Sequence, residues 1–163
     1  MKFNFRWLII LLQSIWRIAT TIAIPIFFLA PWVTTSYVRS KQTFIGTEAT
    51  LWTTWIGISG FTPGVGLWGY VLLSIFILSV LGLLAILTYI VFNLFSPFLG
   101  VARVFLLGQL GMGALWMGLV FLFFAPLSGS AFLWGYWATW LSLLSGVLLE
   151  ISEFFVDFLC RPR

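Results

Sequence analysis

The sequence predicts an all-α integral membrane protein, with about four transmembrane helices in an antiparallel bundle. Two observations carry that prediction. Of 163 residues, 62% are hydrophobic and 7% charged, whereas a soluble domain carries about 25% charged residues. The apolar residues also fall into runs of about 20 or more, the length needed to cross some 30 Å of hydrocarbon. An aromatic share of 20%, including ten Trp, suits lipid-facing and interfacial surfaces.

The chain reads as a single membrane domain. Three spans are plain: 67–95, 104–125 and 131–158, the last uncharged as far as Leu149. The first is less simple. Lys2, Arg6, Gln13 and Arg17 are spaced 4, 7 and 4 apart and fall in one stripe of a helix, extended by Thr20 and Thr21. One reading is an amphipathic stretch over 2–17 at the membrane surface, followed by a span over 18–37. The other is one long tilted helix whose basic stripe faces protein or snorkels. An arginine at mid-bilayer costs about 2.5–3.5 kcal/mol on insertion scales, which favours an interfacial Arg17. Pro25 then lies inside the span.

The outer loop, 38–66, is hydrophilic in its first half. Its second half is apolar, with Trp52 and Trp55, and is expected to lie as a short element on the membrane surface. Pro63, Gly64 and Gly66 break the chain before the second span. The later connections are short, which makes neighbouring helices antiparallel. Lys2, Arg6, Arg103, Arg161 and Arg163 collect on one side; Arg39 and Lys41 lie on the other. The bias puts both termini on the cytoplasmic or equivalent side of a bacterial inner or organellar membrane. A cleaved leader is not expected, because Phe28-Leu29-Ala30-Pro31 makes a poor cleavage site.

Side-chain inventory argues against catalysis. The chain has no histidine, four acidic residues, two lysines and one cysteine, Cys160. The commonest general base and metal ligand is therefore missing. No Cys/His set has metal spacing, and no phosphate-binding glycine loop is present. Eight scattered basic residues make no nucleic-acid footprint. No span is expected to bury a carboxylate, since Glu48 is in the loop and the other acids end the last helix. Cys160 reads as a plain thiol, with palmitoylation as the sharper alternative.

Three constellations remain. Glu150, Glu153 and Asp157 share a helix face, and under this topology that face meets the end carrying Lys2, Arg6 and Arg17. A charge seam, within the chain or to a partner, competes with simple solvation of both stripes. Gly108, Gly111, Ala114 and Gly118 mark a helix-packing face in the third span, either inside the bundle or toward another subunit. Gln109 in the same span is expected to hydrogen-bond a neighbouring helix. Trp32, Trp52, Trp55, Trp68, Trp134 and Trp137 sit near span ends as an interfacial belt. Contact with a quinone, carotenoid or chlorophyll is the sharper reading of those rings. No cofactor is identifiable from the residues, while bound lipids are expected.

Trp52 or Trp55 followed by Gly66-Leu67-Trp68, in a four-span chain with one large first loop, resembles the claudin-like tetraspan proteins. The chain departs from their pattern in lacking both loop cysteines. The resemblance covers a few residues; it implies an adhesion or barrier role through the first loop. The residues themselves point first to a non-catalytic accessory or scaffolding subunit of a larger complex, respiratory or photosynthetic in kind. A small transporter or channel is the rival from another class.

Overall fold

In the computed structural model the chain forms an all-α membrane bundle with a small sheet at one end. The structure describes residues 5–37, 40–59, 66–99, 103–127 and 129–159. Five helices are present among them: α1 (Phe5–Phe28), α2 (Gly46–Ser59), α3 (Gly66–Leu99), α4 (Arg103–Phe124) and α5 (Trp134–Leu159). Strands β1 (Pro31–Tyr37), β2 (Ser40–Ile45) and β3 (Ala131–Phe132) complete the fold. Helices α1, α3, α4 and α5 are each long and apolar enough to cross a membrane.

Helix α1 is one continuous helix, with no break between residues 17 and 18, and it ends at Phe28 rather than running on to 37. Proline explains the stop. Pro31 lacks an amide proton and disfavours helix at the residue before it. The last turn tightens, with Leu29 N donating to Ile26 O and Ala30 N to Phe27 O. The Trp32 indole nitrogen donates to the same Phe27 O at 2.8 Å, giving that terminal carbonyl a second partner.

The segment expected to finish the first span is instead strand β1. It pairs antiparallel with β2, with a register shift between Pro31 and Val33. On its other edge β3 pairs through Val33–Phe132 and Thr34–Ala131. The order β2-β1-β3 thus ties the first loop to the short link between α4 and α5. The strands are rich in β-branched and aromatic residues, with Val33, Thr34, Thr35 and Tyr37 on β1 and Thr43, Phe44 and Ile45 on β2, which suit a pleated surface, but their polar and apolar residues do not alternate. The expected surface element is α2. Glu48, three residues into it, accepts from Ile45 N at 3.2 Å in the manner of a capping box.

The bundle is two staggered pairs, α1 with α5 and α3 with α4. Arg17 touches Asn93, and the Phe28 and Trp32 rings meet Trp116, which packs on Gly82. Eleven residues separate the two levels on α1 and on α3 alike, which puts Gly82 beside the end of α1. The sixteen residues of α3 from Gly66 to Leu81 therefore run about 24 Å past that end at 1.5 Å per residue. Helix α2 lies against this extension, with Gly57 on Phe76. At the opposite end, α1 has twelve residues beyond Arg17 and α3 six beyond Asn93.

Large side chains fill the interior: Trp32, Trp116, Tyr89, Phe124, Leu110 and Leu143 are all buried. Trp32 is accordingly a core residue and not part of an interfacial belt, because its ring is enclosed by Phe28, Trp116 and Tyr136. Trp52, Trp55, Trp68, Trp134 and Trp137 are exposed as expected. Close helix approach occurs at glycines outside the predicted stripe. A β-carbon at Gly82 would collide with Trp116, and one at Gly113 would sit 2.7 Å from Ile86. Gly108, Gly111 and Gly118 have open space there, so the predicted face does not pack within the chain. Gly82→Ala and Gly113→Ala should each destabilise by about 1–3 kcal/mol through overpacking. Gly111→Ala should be neutral or slightly stabilising. Thermal unfolding midpoints in detergent check the contrast.

Candidate functional site

Polar side chains inside an apolar bundle are costly, and they mark where to look for function. The charged ones converge with Asn93 at one place, where α1, α3 and α5 meet. Arg17 and Thr21 on α1, Tyr89 and Asn93 on α3, and Glu150 and Glu153 on α5 each lie three or four residues apart on their own helix, so each pair shares a face. Side chains lean toward a helix's N-terminus. Helices α1 and α5 are antiparallel, so Arg17 leans toward the end carrying the termini while Glu150 leans the other way, and they meet.

Arg17 is the hub. Its Nη1 donates to Asn93 Oδ1 at 2.8 Å and its Nη2 to Glu153 Oε2 at 2.9 Å. The same Nη2 lies 3.0 Å from Glu150 Oε1. Asn93 in turn donates to Thr21 Oγ1 and, at 3.3 Å, to the Tyr89 hydroxyl. Thr21 donates to Arg17 O at 2.7 Å. The Glu150 side chain is 1% exposed and that of Arg17 17%. Such charge-assisted bonds in a poorly solvated site are about twice as strong as neutral ones. The shape of the guanidinium matters as well as its charge, since two nitrogens serve two different helices.

The predicted seam between α1 and α5 is thus present at Arg17, Glu150 and Glu153. Gln13 adds to it by donating to Ser152 Oγ at 3.3 Å. The expectation that no span buries a carboxylate is overturned by Glu150, which sits within the apolar stretch Trp134–Phe155. The error came from taking the end of the last helix as exposed, whereas Glu150 is buried there beside Arg17. Lys2, Cys160, Arg161, Arg163 and Arg39 lie outside the described residues, as do the side chains of Arg6, Arg103 and Asp157. Asn93 and Tyr89 escaped notice in the sequence. Asn93 carried a readable signal: a lone amide within a charge-free run.

Ring contact between Phe92 and Phe105 sets the cluster level with the first turn of α4, near Arg103. Counted along α4, the cluster lies close to the end of the hydrocarbon and not at its middle, which lowers the cost of Arg17. A separate polar tie joins α3 and α4, where Gln109 Nε2 donates to Thr88 Oγ1 at 2.6 Å, the interhelical bond expected of Gln109. Comparison of the chain with family models, curated proteins and solved structures finds no match.

Arg17→Gln should destabilise the bundle strongly. Breaking a buried ion pair from one side costs about 3–5 kcal/mol, and the partial exposure of Arg17 places the loss at or below the lower end. Arg17→Lys should recover little, because one ammonium does not reach Asn93 and both glutamates in the same geometry. Gln109→Leu should cost less than either. Unfolding midpoints of the three variants in one detergent give the order.

Proposed function

We propose that this chain is a non-catalytic subunit that packs into a larger membrane-protein assembly as an accessory or scaffolding component. The observation that carries the reading is the arrangement of its polar groups. Its intramembrane charges and Asn93 lie side by side at one level, bonded to one another across three helices, instead of being strung along a path through the bundle. A transporter or channel needs such a path, and here the space above the cluster is filled by Tyr89, Leu110, Leu143 and Trp116. An intramembrane network of this kind holds helices in register.

The outward face of α4 supports the same reading. Gly108, Gly111 and Gly118 have nothing against them, and Leu115 between them is exposed. This spacing lets a second helix approach closely. Between α1 and α5 an open groove of about 530 Å³, lined by Leu12, Ile15, Trp16, Ala19 and Ala23, fits a bound lipid chain. Quinone or pigment contact belongs to the same class of occupant. The basic bias of the termini favours placing them on the cytoplasmic side of a bacterial inner or organellar membrane, where respiratory or photosynthetic complexes provide such partners.

A second reading draws on the sheet. The first loop is a folded unit pinned by β3, and a folded loop beside Gly66-Leu67-Trp68 suits an adhesion or barrier role.

Gentle extraction from the native membrane, native sizing and mass spectrometry separate these readings. A defined hetero-complex is expected. Gly111→Leu with Gly118→Leu should release the chain from it while the purified chain keeps its unfolding midpoint. Recovery of the chain as a monodisperse homo-oligomer that moves a solute in liposomes would overturn the subunit reading.

A further inference from the structure

Helix α2 has two faces of opposite character. Gly46, Ala49, Thr50, Thr53 and Gly57 are buried. Leu51, Trp55 and Ile58, four and three residues apart, form the opposite stripe and are 67%, 56% and 53% exposed. Glu48 caps the N-terminal end, and from Ala49 to Ala102 the sequence carries no charged residue. The stripe itself is wholly apolar, and along the rest of α2 its exposed polar neighbours are Glu48 at one end and Ser59 at the other, with Thr54 half-buried beside it.

Its level in the bundle is fixed by a ladder of rings. Phe124, the last residue of α4, meets Phe44 at 5.7 Å; Phe44 meets Trp52 at 6.2 Å, and Trp52 meets Trp55 at 5.2 Å. The apolar part of α4, Val104–Phe124, is 21 residues long, which at 1.5 Å per residue matches the roughly 30 Å of hydrocarbon. Helix α2 is therefore level with the hydrocarbon boundary. Its first residue lies lower, against Phe28 O and the Trp32 ring. Exposed Trp68 and Tyr70 on α3 stand in the headgroup zone beside it, as an aromatic belt does.

We propose that α2 is a half-inserted helix: its Leu51–Trp55–Ile58 face lies in the lipid leaflet at the sheet end, and its occupant is acyl chain. In chain order α2 lies between the spanning helices α1 and α3, so insertion requires no separate anchoring. The helix widens the bundle in one leaflet only, giving the chain a wedge-shaped cross-section.

The test uses the full chain with Cys160→Ser in phosphatidylcholine vesicles. Nitroxides are placed singly at Leu51→Cys, Trp55→Cys and Ile58→Cys. Lys41→Cys serves as the aqueous reference and Leu115→Cys as the hydrocarbon reference. Collision with oxygen should exceed collision with a water-soluble nickel chelate several-fold at all three α2 sites, as at Leu115. Chelate access like that at Lys41 would overturn the proposal, and so would low access to both reagents, which means protein covers the face. A lipid-phase carbene probe on the unsubstituted protein removes dependence on the variants. Adducts are expected on residues 51–58, and their absence counts against insertion.

Discussion

A charge placed in hydrocarbon must find its counter-charge there, and this constraint organises the bundle. Arg17 satisfies it by reaching two helices at once: Asn93 through one nitrogen, and Glu150 and Glu153 through the other. Apolar packing alone is nearly indifferent to sliding one helix along another, because lipid tails are as apolar as leucine. The hydrogen bonds are not indifferent. They fix which residue of α1 stands beside which residue of α3 and α5, and the stagger of the two helix pairs follows from that register.

The stagger then explains the sheet end. With α3 running some 24 Å past the end of α1, its extra length needs company in place of α1. The end of α4 and the helix α2 supply it. Pro31 turns the chain out of α1 at the required level, and Trp32 drops into the gap beneath, touching Phe28, Trp116 and Tyr136. Gly135 permits α5 to begin directly against the Pro31 carbonyl, 2.6 Å from where a β-carbon would stand. Glycines at 46, 57, 82 and 113 serve the same purpose at other contacts. The glycines that look most like a packing motif, at 108, 111 and 118, are left over on the outside.

Much of this was legible beforehand. Length and hydropathy mark the four spans, and the spacing of Arg17, Glu150 and Glu153 offers their meeting as one of two readings beside solvation of both stripes, because charge and helical period act locally. The small sheet was hidden because the first span was carried on to Tyr37, although Pro31 and the polar run Thr34-Thr35-Ser36 both dispute it. The small residues on α4 were left open between the bundle interior and another subunit for a related reason. Small-residue spacing identifies a face that admits a neighbour without saying which helix comes. Asn93 was overlooked in a stretch where charge alone was counted, although an amide in hydrocarbon needs a partner as surely as a charge does.

The account stands on Arg17 holding α1, α3 and α5 together inside the bilayer. Solid-state NMR on the chain in lipid vesicles, with nitrogen-labelled arginine and carbon-labelled glutamate carboxyl groups, measures that contact directly. Strong dipolar coupling is expected between the Arg17 guanidinium and the carboxyls of both Glu150 and Glu153, and it should vanish in Arg17→Gln. Absence of that coupling in the unsubstituted protein, with the side chain of Arg17 hydrated instead, would contradict the account.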